Sequence, residues 1–220
     1  MTPAGRGRGW VAVVAALSVG FALLAHASLV DGVSPTVGAL LSLVPLAGLA
    51  LWGARRARHR IGVAAAFAAT GATLWLGWPT LERYFPSLFF LEHAGANLAL
   101  AIVFGRTLLG AREPLCTTFA RLVHGELPAE VQRYTRQVTL AWTAFFAALF
   151  AASVALYLGG FLAAWSLLAN IASPLLVGAM FAGEYFVRHR VLPDWERVGI
   201  LGGIRAFARH FQSARFEAPR

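Results

Sequence analysis

The chain has 220 residues, 58% of them hydrophobic and only 13% charged, with a mean hydropathy of +0.64. Soluble domains carry roughly 25% charged residues, so this composition excludes a soluble domain and implies an integral membrane protein. The formal net charge of +9 would suit nucleic acid only if the basic residues shared one water-facing patch, whereas here they fall in short runs between apolar segments. A single cysteine, Cys116, excludes an internal disulfide, and no Cys/His spacing matches a metal site, so no metal or other cofactor is expected.

In chain order, six apolar segments come close to the ~20 residues a helix needs to cross the hydrocarbon core. They lie at about 10–30, 33–52, 61–78, 87–104, 138–158 and 161–186. The expected fold is therefore an all-α polytopic bundle of six transmembrane helices over residues 1–186, with a loop at 105–137 and a basic tail at 187–220. No internal repeat is visible, and there is no room for a separate soluble domain. Ala25-His26-Ala27 has the A-x-A form of a signal-peptidase site, but the apolar run around it is long enough to stay as an anchor.

Orientation follows from arginine, because positive loops stay cytoplasmic. All 19 basic residues other than histidine are arginines. Arg6 and Arg8 precede the first segment, and Arg55, Arg56, Arg58 and Arg60 separate the second from the third. Arg106, Arg112, Arg121, Arg133 and Arg136 separate the fourth from the fifth, and seven more follow the sixth. The alternate connections hold only Arg83, so both termini are expected to be cytoplasmic, with turns at Asp31, Glu82–Arg83 and Gly159–Gly160 facing outward. Trp10, Trp52, Trp78, Trp142 and Trp165 lie near segment ends, where an indole prefers the headgroup level.

Polar residues interrupt the fourth segment, SLFFLEHAGANLALAIVFGR, which Pro86 is expected to begin. Glu92 and His93 would lie about 9 Å deep at 1.5 Å per residue, with Asn97 near the middle. His93 and Asn97 share a face, while Glu92 points about 100° away beside Gly95, Ala96 and Ala99, small residues that would admit another helix. His26 lies at a similar depth in the first segment, so Glu92, His93, Asn97 and His26 form a candidate intramembrane polar site. Ionisable groups at such depth cost a few kcal/mol and usually face the bundle interior. The competing reading is that His26 and Glu92 are hydrated near the interface and that Asn97 makes a packing hydrogen bond.

Further along, REPLCTTFARLVHGELP reads as a short amphipathic helix, with Pro114 at its first position, an apolar stripe of Leu115, Phe119, Leu122 and Val123, and Gly125 as its stop. A second such helix in the tail would carry Ile200, Ile204, Phe207 and Phe211, and both would lie in the headgroup layer. In the sixth segment Asn170 stands four residues before Pro174, which predicts a kink, and Pro45 should act similarly in the second. At its inner end, GEYFVRHR places Glu184 and Arg188 at ion-pair spacing and Tyr185 and His189 at hydrogen-bond spacing.

The stretches GRTLLGAREPLCTTFARLVHG, EVQRYTRQVTLAW and GEYFVRHRVLP resemble the hallmarks of a bacterial multi-pass membrane-protein family encoded beside aryl-polyene and xanthomonadin-type pigment genes. The resemblance covers the second half of the chain. It carries over Arg106, Arg112, Glu113, Arg121, Tyr134, Arg136, Glu184, Tyr185 and Arg188 as motif or docking residues, without a catalytic assignment. It implies residence in the bacterial inner membrane and a pathway built on ketosynthases, acyl carrier proteins and exporters.

Three function classes follow. The first is an accessory or scaffold for synthesis of a polyene lipid or pigment, whose partners would be the bilayer, an acyl carrier protein, a ketosynthase or an exporter, and not nucleic acid. The second is a transporter or flippase for the product or an ion, working as a homo-oligomer, with Pro45, Pro174 and the polar residues along its path. The third is an intramembrane acyl transferase using His93 or His124 as base, which ranks last because no H-E-x-x-H, G-x-S-x-G or Walker loop is present.

Overall fold

The structure, a computed structural model, describes residues 3–30, 34–57 and 60–192. Asp31, Arg58, His59 and the tail with its expected amphipathic helix lie outside the described residues. Those described form helices and no strand: α1 (Pro3–Val30), α2 (Pro35–Ala54), α3 (Arg60–Leu76), α4 (Trp78–Arg106), α5 (Leu115–His124), α6 (Ala129–Leu158), α7 (Leu162–Leu167) and α8 (Ser173–Val191), with a π-helical turn at Leu168–Ala172 joining the last two. Among the described residues, five stretches are long and apolar enough to cross a membrane: Val13–Val30, Pro35–Ala54, Trp78–Arg106, Ala129–Leu158 and Leu162–Val191. The third expected span is the shorter helix α3 of 17 residues, about 25 Å at 1.5 Å per residue.

Local chemistry sets these boundaries, and in places it shifts them from the expected ones. Pro35 opens α2 where its missing N–H is not needed. The fourth span does not begin at Pro86. The helix starts at Trp78, Pro79 occupies its first turn, and Pro86 lies inside it. Glu82 and Arg83, expected in an outward turn, are therefore helical. The actual break is the single residue Gly77, whose N–H donates to Thr73 O at 2.9 Å while its carbonyl accepts from Leu81 N–H at 3.0 Å. Glu82 is held by Trp78 Nε1–H at 2.9 Å and by the Thr36 hydroxyl. Gly160, at φ 78°, makes the turn between α6 and α7 that its sequence suggested.

The kink expected at Pro174 takes a specific form. Proline removes a backbone donor and crowds the carbonyl four residues earlier. The turn before it has widened to π geometry, a common way to absorb such an interruption. Asn170, inside that turn, covers the Ser166 carbonyl with its side-chain amide at 3.1 Å.

The described chain divides into two compact units, and α4, α6 and the 162–191 stretch contribute to both. In the first, formed by residues up to Ala94 with Ser153–Leu175, α1 packs against α2, α7 and the π turn. Its core gathers Ala25, Leu29, Ala39, Phe85, Phe89 and Trp165. Gly38 permits close approach of α2 to α4, since a Cβ there would overlap the Phe85 ring. In the second unit, Gly95–Ala152 and the residues from Leu176, Trp142 is buried among Phe104, Phe146 and Phe181, with ring centroids 6.3, 5.4 and 4.8 Å away. Trp142 and Trp165 are thus buried among other side chains, and the Trp165 indole N–H is bonded to Ser153 Oγ.

Candidate functional site

In the first unit, two histidines meet three buried serines. His93, two turns past Pro86 on α4, places Nδ1 3.1 Å from Ser153 Oγ of α6 and Nε2 3.0 Å from Ser173 Oγ of α8. Ser153 also accepts the Trp165 indole N–H at 2.8 Å. The two ring nitrogens of His93 thus each meet a serine hydroxyl, which can donate to or accept from an imidazole according to its tautomer. One residue along from Trp165, Ser166 Oγ lies 2.8 Å from His26 Nδ1 of α1 and receives the Asn170 amide at 3.2 Å. Asn170 donates to this hydroxyl, which also bonds the imidazole. The adjacent pair Trp165-Ser166 therefore joins the two histidine groups on one turn of α7.

Geometry limits the chemistry of this cluster. Ser153 and Ser166 are fully buried, and Ser173 is 7% exposed. No hydroxyl is presented to a substrate, so the His–Ser pairs do not form an accessible nucleophile and base. What the cluster does is tie α1, α4, α6, α7 and α8 together by hydrogen bonds between helices and hold two imidazoles in defined orientations.

Of the four residues expected to form the polar site, His26 and His93 thus meet through α7. Glu92 joins neither group; its Oε1 is buried and without a hydrogen-bond partner among the described residues. Asn97 is 8% exposed and belongs to the second unit. Gly95, Ala96 and Ala99, the small face beside Glu92, are exposed within the chain, and nothing stands within 4 Å of a Cβ at Gly95. The serines were not anticipated, although Ser166, Asn170 and Ser173 recur at i, i+4 and i+7, the spacing of one helical stripe.

The motif residues gather in the second unit. Tyr134, 6% exposed, donates to Glu184 Oε1 at 3.2 Å and to the Glu184 carbonyl at 3.1 Å, and Arg188 pairs with the same carboxylate at 3.4 Å. Tyr185 and His189 stack, with centroids 6.0 Å apart and 17° between planes; the expected hydrogen bond gives way to ring contact because both planes lie along the same helix face. Pro114 caps α5 one position earlier than expected, and Gly125 at φ 78° ends it. The segment is pinned by Thr107 Oγ1, which accepts Leu115 N–H at 3.0 Å, by Thr139 Oγ1, which accepts Cys116 N–H at 3.2 Å, and by a Thr117–Thr135 hydroxyl pair at 2.7 Å. Arg121 is paired with Glu113 at 2.7 Å. Arg106, Arg112, Arg133 and Arg136 are exposed and make no ion pair among the described residues. Burial pushes the Cys116 thiol above its usual range, so it is not a poised thiolate.

No protein-family model matches the chain, and neither a curated protein nor a solved structure is significantly similar to it.

Proposed function

We propose that this is an inner-membrane protein with six spans and both termini in the cytoplasm, acting as an accessory or scaffold for acyl-carrier-protein-dependent synthesis of a polyene lipid or pigment. The observation that carries this reading is a set of exposed arginines at the end of α4 (Arg106), in the connection after it (Arg112) and in the first turns of α6 (Arg133 and Arg136), none with a carboxylate partner among the described residues. An acidic carrier protein is complementary to such a surface, and charge of one sign speeds encounter as well as fixing orientation. The second-half motifs supply the pathway. Support for six spans comes from α3: α2's first turns meet the start of α4 at Thr36–Glu82 and Gly38–Phe85, while its last turn and the first turns of α3 line one cleft. Helix α3 thus carries the chain back along α2.

Reversing Arg112 and Arg133 to glutamate tests the platform. Product formation and co-purification of the carrier protein should fall while membrane insertion and protein level stay unchanged; normal product in that variant reduces these arginines to topology signals. Reporter fusions after Arg112 and Val191 should read cytoplasmic and one at Gly160 external, and an inverted pair would remove that hairpin from the assignment.

A second reading, a transporter for the product or an ion, is favoured by the His26/His93 hydroxyl cluster next to a π turn, a combination of buried polar groups and an adaptable helix. Glu92→Gln separates the two readings. Removing the charge at constant shape should abolish transport and leave a scaffold intact.

A further inference from the structure

The end of α2 and the start of α3 flank an open cleft of about 290 Å³ lined by Ala50, Gly53, Ala54, Ala66, Phe67 and Thr70 among others. Its walls are almost wholly apolar, and it begins at the loop that carries Arg55 and Arg56. Measured along α3, its lining from Val63 to Thr70 extends about 10 Å at 1.5 Å per residue toward the membrane interior. Little of α3 is covered by the rest of the described chain: Ile61, Trp75 and Leu76 are 87%, 82% and 81% exposed, and none of residues 61–76 is buried. An apolar gap between two membrane helices is filled by hydrocarbon, since neither water nor protein supplies its lining with contacts.

What distinguishes this gap from ordinary bilayer is the charge on the loop that borders it. Arg55 and Arg56 are exposed and make no ion pair among the described residues. The Arg56 guanidinium lies 3.6 Å from the centre of the Trp52 ring, which holds it at the end of α2 with its N–H edges open. Arg58 and Arg60 follow in sequence. Arginine at a helix C-terminus already answers the helix dipole, but Ala54 and Ala57, which flank Arg55 and Arg56 in sequence, both line the cleft, so the two cations stand beside its end. A ligand matching both has a phosphate at one end and an acyl chain at the other.

We infer that the α2–α3 cleft is a binding site for an anionic phospholipid, with one acyl chain between Gly53, Ala54, Ala66 and Phe67 and the phosphate on Arg55 and Arg56. Basic pockets between membrane helices recognise headgroups in this way. The inference rests on the proposed six-span reading, in which α3 lies in the bilayer beside α2, and is independent of the scaffold and transport readings.

Native mass spectrometry of the detergent-solubilised full chain, titrated with equal amounts of phosphatidylglycerol and phosphatidylcholine, tests it. Wild-type protein should retain phosphatidylglycerol preferentially, and inorganic phosphate at the same concentration should not displace it. The Arg55→Gln/Arg56→Gln variant should lose roughly thirty-fold of that preference, about 2 kcal/mol at 1.4 kcal/mol per tenfold, from about one unit per arginine. Gly53→Leu, at a position with no atom within 4 Å of a Cβ, fills the slot without changing charge and should lower retention of phosphatidylglycerol at unchanged helix content. Equal retention of the two lipids by wild-type protein overturns the inference, as does an unaffected arginine variant. Loss in the arginine variant with none in Gly53→Leu overturns the chain-in-cleft arrangement and leaves a headgroup surface alone.

Discussion

Ser153→Ala is the most informative perturbation of the buried cluster, because one hydroxyl serves two partners from different helices. Trp165 Nε1–H donates to it at 2.8 Å and His93 Nδ1 lies 3.1 Å away, and the site is fully buried. Hydrogen bonds between helices in a bilayer contribute on average about 0.6 kcal/mol each, because the unfolded chain finds other partners in the membrane. Two bonds would then contribute about 1 kcal/mol. An orphaned buried donor costs about 1–3 kcal/mol, and Trp165, packed against Phe90 and Tyr157 with centroids 6.3 and 5.4 Å away, has no room to turn its N–H elsewhere. Alanine's better helix propensity returns up to about 0.5 kcal/mol. The expected loss is about 2 kcal/mol, or about thirty-fold in the unfolding equilibrium. Ser173→Ala, which removes one bond and leaves His93 its other partner, should cost about half as much. Ser87→Ala, which loses only the half-buried bond to Tyr157 at 2.8 Å, should cost less again. Reversible unfolding of the full chain in mixed micelles, driven by an anionic detergent and followed by tryptophan fluorescence, measures all three. A Ser153→Ala cost no larger than that of Ser87→Ala would refute the claim that this hydroxyl is the node of the cluster.

Gly38→Leu should destabilise by about 1–3 kcal/mol in the same unfolding assay, because the added side chain meets the Phe85 ring across the α2–α4 contact. Tyr134→Phe should cost about 1 kcal/mol through loss of the hydroxyl bond to Glu184, and Glu184→Gln, which can still accept it, should cost less. Cys116 should react with maleimide more slowly in the folded protein than after unfolding at neutral pH. Because burial raises its thiol, the folded-state rate should keep climbing at pH values above those where an ordinary thiol levels off; equal folded and unfolded rates would contradict this.

Much of the helical layout was legible because hydropathy in a bilayer is a direct readout: a segment that cannot satisfy its backbone internally cannot stay there. The turns were harder. Glu82 and Arg83 were placed in a connection because charge is costly in lipid, yet Trp78 Nε1 and Thr36 compensate the Glu82 carboxylate and let the helix begin at Trp78. A compensation made by a residue 46 positions away is not visible in a local window. The same reason hid the role of Ser153, Ser166 and Ser173, whose hydroxyls look like small packing residues until partners on other helices are known. Trp142 and Trp165 show a related limit, since an indole near a segment end satisfies both the interfacial and the core rule, and only the neighbouring rings on other helices reveal the burial.

Pro174 shows how these levels connect. The proline was legible as an interruption, but its outcome depends on what can take up the backbone groups it disturbs. In this chain Asn170 bonds the Ser166 carbonyl and its hydroxyl at once, so the disturbed turn is satisfied from within and widens instead of breaking. That same hydroxyl then faces His26. A residue that repairs a helix therefore also positions an imidazole on another helix, and the polar cluster cannot be altered at Asn170 or Ser166 without altering the shape of the 162–191 stretch. Glu92 stands apart from this economy. Its buried Oε1 has no protein partner among the described residues, while every other polar side chain singled out in the first unit's interior is bonded. A buried carboxylate oxygen without a partner is the feature that structural packing alone explains least, which is why conservative replacement of Glu92 by glutamine separates a transport role from a scaffold role.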